Sequence, residues 1–359
     1  MSRSANCPPQ PSLPSAVRRT VLMSPVLFAG VSTLAQAAPF SSNKPAPLPV
    51  GQMPLQVYGN LDTLEFAPVL LAGATREAGR IEIKRGGILS LYDQKSDLPN
   101  LKAKGRSHAA TNSETQALRY SIANPDLRII FTVSEGVYRI VARRSAGINT
   151  LADLRGKRIG TMPRTSSAYY LHRCLVSAGV SDEEVTVVPF VSGTDKPLAM
   201  MKQALLKHEI DAVTIWEPQM QRCADALGAD AVSFFNAADY REQFSLMSTQ
   251  ANLNDPILRP RIVSLVQSLV IASEQIRRDP LPARKLVADA TRQDINVIER
   301  AWPHNTYPGT LLGNLLDTMV EEDVWVAKET GRAPRSRSQL APLIDDSILN
   351  EALRTQWLL

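Results

Sequence analysis

Histidine and cysteine are scarce in this chain, with four histidines and three cysteines in 359 residues. The histidines, His108, His172, His208 and His304, share no metal-ligand spacing, and no two cysteines form a C-x-x-C pair. Metal and dithiol redox chemistry therefore find no support, and no cofactor is expected. A glycine-rich phosphate loop ending in lysine is also missing, so this chain is not the ATPase of any larger machine. Beyond the N-terminal segment no run approaches the roughly 18 apolar residues of a membrane helix, which predicts a soluble mature protein.

What is present begins with an address. Arg18-Arg19 precede the mostly apolar run Val21 to Ala29, and Ala35-Gln36-Ala37 follows as an A-x-A site. Charge, apolar stretch and small residues in that order predict a secretory signal over 1–37, cleaved after Ala37. Arg18-Arg19-Thr20-Val21-Leu22 also has the form of a twin-arginine signal, so either export route fits. Cleavage leaves 322 of the 359 residues and removes Cys7. It also removes Arg3, Arg18 and Arg19, lowering the formal charge from +5 to +2. A near-neutral chain offers no electrostatic footprint for nucleic acid. The remaining length suits two domains, and 44% hydrophobic residues are ample for packed cores. Cys174 and Cys223 stay in the mature chain. An oxidising compartment allows a disulfide if their Cα atoms lie within about 7 Å, but two separately buried thiols are the simpler expectation.

The proline-rich stretch 38–54 reads as a linker. Then Leu55 to Tyr58 predicts a strand, Pro68 opens a helix, and Arg80 to Arg85 alternates as a second strand. His108 to Thr111 predicts a short buried strand leading into a helix, followed by strands at Leu127 to Val133 and Tyr138 to Arg143. This strand–helix order is that of an α/β lobe. A second such lobe begins near Ser145. It has a helical turn at Asn149 to Leu154 and a strand at Arg158 to Thr161. A helix from Thr165 or Ser166 stops at Gly179, a strand covers Glu184 to Pro189, and a helix covers Lys196 to Lys207. A strand at Asp211 to Trp216 then leads into a helix opened by Pro218. The chain returns through Ala231 to Phe235, and the rest reads as mainly helical.

These residues carry a resemblance. Thr111 to Arg119, Gly147 to Gly160, Thr165 to Leu171, Ile210 to Pro218 and Leu343 to Ser347 resemble the periplasmic substrate-binding proteins of ABC importers. The type is that of the nitrate/sulfonate/taurine and thiamine-precursor family, and the likeness covers Leu55 to the C-terminus. It implies a type II two-lobed periplasmic binding protein fold, with two α/β lobes joined by crossover strands near Arg139 to Arg143 and Ser233 to Asp239. Lobe one would be 55–140 plus 236–359, with the helical C-terminal segment packed on it, and lobe two 141–235.

Ligands of open α/β sheets bind beyond the carboxyl ends of strands, at helix N-termini. Four segments meet that condition. The first is the loop after strand one, with Asp62, Thr63 and Glu65. The second is Thr111, Asn112 and Glu114, whose amides and hydroxyls could grip an anion or a polar edge. The third is Thr165, Ser166 and Ser167, suited to a sulfonate, carboxylate or phosphate oxygen. The fourth is Trp216 and Glu217, a flat apolar wall beside a possible amine partner. Each also has a plain structural reading, as a helix cap or a core aromatic, and Tyr58 and Tyr138 are read as core. Carboxylates in a cleft repel a multiply charged anion. A zwitterion such as an aminosulfonate, or a heteroaromatic with N–H donors, fits better than a small inorganic anion.

The function expected is binding without chemistry. A small molecule held between the lobes stabilises their closure, and a membrane permease receives it. A monomer in the periplasm is expected, its partners the small-molecule ligand and the ABC permease membrane subunits. Two alternatives are a periplasmic sensor partner and a same-fold enzyme of pyrimidine-precursor type. The second is disfavoured because that type carries a cysteine cluster this chain lacks.

Overall fold

The computed structural model describes residues 53–77, 79–92, 107–190, 197–235 and 239–356. All of them lie in one unit, Pro45–Leu359. The export signal, its cleavage site, Cys7 and nearly all of the 38–54 linker lie outside the described residues. Two sheets organise this unit. Strands β1 (Leu55–Gly59), β2 (Ile81–Arg85), β3 (Ala109–Asn112) and β4 (Leu127–Val137) begin the first. The chain then builds the second from β5 (Arg139–Arg143), β6 (Arg158–Thr161), β7 (Thr186–Pro189), β8 (Ala212–Val213) and β9 (Ala231–Phe235). It returns to the first with β10 (Arg241–Thr249) and β11 (Asn305–Thr306). The orders are β11-β4-β10-β3-β1-β2 and β7-β6-β8-β5-β9. This is the two-lobed α/β architecture, and Tyr138 links β4 of the first sheet to β5 of the second.

Strand β10 adds to the sequence reading, which took the chain after Phe235 as mainly helical and named no strand at 241–249. It lies in the middle of sheet one, antiparallel to both β3 and β4. Eight of its nine residues are buried, polar ones included, because both faces are covered. Alternation of apolar and polar residues marks a half-exposed strand, and a strand covered twice does not show it. The strand expected at Asp211 to Trp216 shrinks to Ala212–Val213, after which the chain leaves the sheet and meets a cis Glu217–Pro218 bond.

The C-terminal helices cover sheet one. Leu258–Arg278 buries Ile262, Leu265, Val266, Leu269 and Ile276 against Val69, Ala72, Phe131 and Val133. Each such side chain contributes about 1.5–3 kcal/mol on burial. Lobe two is pinned by Asp211, which accepts from Arg143 at 2.7 Å and Arg158 at 2.9 Å. Burial opposes that charge, but the Arg158 hydrogen bonds prevail and hold the carboxyl at about 2. The Gly147 to Gly160 motif is a structural turn. Thr150 and Asp153 form a capping box, and Gly156 takes φ +74°, which suits glycine. Cys174 and Cys223 are free and buried. No helix among the described residues is long and apolar enough to cross a membrane.

Candidate functional site

The lobes meet along a seam of side chains. The Ser166 hydroxyl, at the start of the helix Ser166–Ser177, donates to Glu242 of β10 at 2.6 Å. The same oxygen accepts from the Tyr138 hydroxyl at 2.8 Å and the Trp216 indole N–H at 3.3 Å. The Leu64 N–H donates to the Glu217 carbonyl at 3.2 Å, and Gln116 donates to the Arg164 carbonyl at 2.6 Å. Further out, Arg300 pairs with Asp225 at 2.7 Å, and Tyr169 packs on Tyr240 and Trp325.

Within the seam lies a cavity of about 10 Å³, the room of about one water molecule. Its lining includes Glu65, Tyr138, Arg139, Trp216, Glu217, Glu242 and Asn305. Glu217 pairs with Arg139 at 2.6 Å, and its other oxygen accepts from the Gln221 N–H at 2.9 Å. Arg139 also lies 5.1 Å from the Phe235 ring centre, as a buried guanidinium over an aromatic face. Glu65 and Glu242 have no cation partner among the described residues; they hydrogen-bond each other, and each leaves a buried oxygen with no partner beyond that pair. Asn305 leaves its Nδ2 in the same state.

Electrostatics follow from this burial. Loss of water pushes the Glu65 carboxyl up to about 7, against a hydrogen bond from Thr63. Burial, and then the neighbouring Glu65 charge, raise Glu242 well above the usual carboxylate range. Behind them Glu114 accepts from the Tyr240 hydroxyl at 2.6 Å and the Gln243 N–H at 2.9 Å. Burial and the Glu242 charge push Glu114 up to about 8. Glu322, bonded to Thr115, is raised well above its usual range by burial and Glu114. The seam is therefore a store of buried acids in which neutral, proton-bearing forms are favoured.

Of the residues singled out from sequence, Glu65, Trp216 and Glu217 line the cavity, and Ser166 is bonded to its wall. The others do not line it. Asp62 is exposed and pairs with Arg85. Thr63 bonds the Asn60 carbonyl at 3.3 Å. Thr111 is buried with its hydroxyl unpartnered, and Asn112 accepts from the Ser113 N–H at 3.0 Å. Thr165 donates to the Met162 carbonyl at 2.7 Å, and Ser167 shares hydrogen bonds with Thr161 and Thr165. The hydroxyls of Thr165, Ser166 and Ser167 are thus already bonded to the protein's own groups, whereas that of Thr111 is not. Trp216 also packs against the apolar clusters of lobe two, so cleft wall and core are both its role. Tyr138, read as core, is buried and lines the cavity as well. Arg139, Glu242 and Asn305 escape the sequence reading. Arg139 and Glu242 sit on strands that cross or flank the hinge, and Asn305 sits on a two-residue edge strand.

Comparison with known proteins agrees with the fold. The model of the NMT1/THI5-like family matches residues 89–264. No curated protein sequence matches the chain. The alkanesulfonate-binding protein SsuA of Xanthomonas axonopodis pv. citri, bound to MOPS, is similar in structure, with a TM-score of 0.60 at 18% identity. That match covers 81% of this chain and 97% of that one. The periplasmic nitrate-binding protein NrtA of Synechocystis PCC 6803 gives a TM-score of 0.64 at 9% identity, covering 84% and 88%. The desulfurization enzyme DSZB gives 0.60 at 16% identity, covering 85% and 100%. Residues 89–264 thus resemble the NMT1/THI5-like family, and the chain has the two-lobed fold of periplasmic binding proteins.

Proposed function

We propose that this chain is the extracytoplasmic solute-binding component of an ABC importer. Exported to the periplasm, it takes a small organic solute between its lobes as a monomer and hands it to membrane permease subunits. The solute is sulfonate- or aminosulfonate-like, or heteroaromatic. The observation that carries this reading is the seam itself. Two lobes close on one cavity whose wall holds an aromatic face, Trp216, with a buried donor, Asn305, and buried acceptors, Glu65 and Glu242, that lack partners outside the acid pair. Unpartnered buried polar atoms cost stability, and a bound solute would satisfy them. In the closed arrangement the cavity has room for about one water, so entry of a solute requires the lobes to part. Tyr138 and the segment before β10 are where the chain would bend.

A desulfurization enzyme shares the fold, so the fold alone does not separate binding from catalysis. Two features favour binding. Cys174 and Cys223 belong to the apolar clusters of lobe two and do not line the cavity. Burial pushes both thiols up to about 12, which leaves neither as a ready nucleophile.

The test is a thermal-shift screen of the chain from Ala38 onward. It would include sulfonates, aminosulfonates, nitrate, bicarbonate, pyrimidines and aromatic carboxylates. A ligand at 100 times its dissociation constant adds about 2.7 kcal/mol, a clear rise in melting temperature. A rise without turnover of the ligand supports a binding protein, whereas turnover would overturn the reading.

A further inference from the structure

Three carboxylates, Glu65, Glu217 and Glu242, line the seam cavity, against one guanidinium, Arg139. Glu217 and Arg139 neutralise each other at 2.6 Å. Glu65 and Glu242 remain, at 4% and 2% exposure, hydrogen-bonded to each other through a shared proton, and each has one buried oxygen with no partner outside the pair. The two stand close enough that each alters the other's hold on a proton. Neither can donate to the other while both are ionised. Two adjacent buried carboxylates require a proton or a cation between them.

A second observation points to a ligand. Asn305, 8% exposed, lines the same cavity, and its Nδ2 is a buried donor with no acceptor. Acceptors on one wall and a donor on another, none partnered outside the acid pair, describe the complement of a molecule carrying both N–H groups and an acceptor atom. The nearest hydroxyl-rich helix start, at Ser166, is turned toward Glu242, so its hydroxyl is already spent and not free for an anionic ligand.

We infer that Glu65 and Glu242 form a subsite for a cationic nitrogen, an ammonium or amidinium group, and that Asn305 bonds an acceptor on the same solute. The inference rests on the solute-binding reading and narrows it. A protonated nitrogen takes the place of the proton that the buried pair otherwise holds, whereas a simple anion displaces nothing there and finds the Ser166 hydroxyl already bonded. Glu242 becomes a specificity-determining residue, because its carboxylate occupies the position at which Ser166 would otherwise serve an anion.

The experiment compares probes by thermal shift and titration calorimetry. Taurine and ethanesulfonate differ in the amine, putrescine and benzamidine carry nitrogen cations, and nitrate is the bare anion. Probes bearing a cationic nitrogen are expected to raise the melting temperature, and ethanesulfonate and nitrate are not. E242Q should weaken nitrogen-bearing probes about thirtyfold or more by removing one charge of the pair. E65Q serves the same purpose should E242Q fail to fold. Equal stabilisation by ethanesulfonate or nitrate overturns the inference and leaves the solute-binding reading standing, as does undiminished affinity in both variants. Should the nitrogen probes fail, an ultrafiltered small-molecule extract of the expression host is tried, with mass spectrometry of whatever binds. A bound species with a protonatable nitrogen supports the subsite, and one without it overturns the subsite. An extract that gives no shift either sinks the solute-binding reading and the inference with it.

Discussion

The Ser166 hydroxyl reaches 2.6 Å across the seam to the Glu242 carboxylate, joining the first turn of a lobe-two helix to the central strand of lobe one. The same hydroxyl accepts from Tyr138 and Trp216. One small side chain thus satisfies a buried acid and two aromatic donors. Ser166→Ala should destabilise the chain by about 1–3 kcal/mol, the cost of leaving buried polar groups unpaired. Urea unfolding followed by circular dichroism measures this. An unchanged midpoint would mean that water or a shifted Glu242 replaces the contact at no cost.

The buried acids make stability depend on pH in a definite direction. Glu65 and Glu114 titrate near 7 and 8 in the folded chain, against 4.5 when free. Between those values the folded state holds protons that the unfolded state has lost. Stability is then full below the free value and falls as pH rises through the folded values. His304, lowered to about 4 by burial and Arg139, acts the opposite way below 6.5, so the clean window lies above it. The charged and titratable groups acting on Glu65 and Glu114 are Glu217, Glu242 and Tyr240. From pH 6.5 to 8.5 Glu65 and Glu114 alone should lower the unfolding free energy by about 2 kcal/mol, and Glu242 and Glu322, also raised, add to the drop. A flat or rising profile across that window would show that these acids are ionised in the folded chain.

Arg139 and Glu217 form a pair whose worth is felt mainly when it is broken. Both are buried, at 2.6 Å, and Arg139 is further held by Gln221 and the Phe235 ring. Glu217→Gln leaves a buried guanidinium uncompensated and should cost about 3–5 kcal/mol. A double change to Arg139→Met and Glu217→Leu should be much milder, because it removes both charges and keeps the volume. A double variant as unstable as the single one would show that the pair contributes through its hydrogen bonds to neighbours rather than its charge.

Much of this molecule is legible from sequence where side chains obey a period or a cap. Strand β2, the helices of the C-terminal segment and the helical turn at Asn149 to Leu154 follow from alternation, helical spacing and turn residues. The site is legible where it sits on such elements, at Glu65, Ser166, Trp216 and Glu217. It is lost on β10, whose polar residues are buried as thoroughly as its apolar ones, so that Glu242 has no local mark. Asn305 is lost for another reason. Its strand has two residues and exists through pairing with Gly136 and Glu135, contacts some 170 positions away in the chain. Such features belong to tertiary packing, which no local window contains.

Trp216 has two duties that substitution can separate. It lines the cavity, and it also packs against the apolar clusters of lobe two while donating to Ser166. Truncation to alanine would remove both, so Trp216→Ala should weaken binding and also lower stability, by about 2–4 kcal/mol for this partly buried ring. Trp216→Phe keeps an aromatic wall and most of the packing but loses the indole N–H. It should stay within about 1 kcal/mol of the parent, the net worth of one hydrogen bond. Affinity for whichever solute the screen identifies should fall strongly in the alanine variant and modestly in phenylalanine. Measured on the folded fraction, unchanged affinity in Trp216→Ala would assign this residue to the core of lobe two alone. The solute would then have to be recognised by the polar walls of Glu65, Glu242 and Asn305 without an aromatic face.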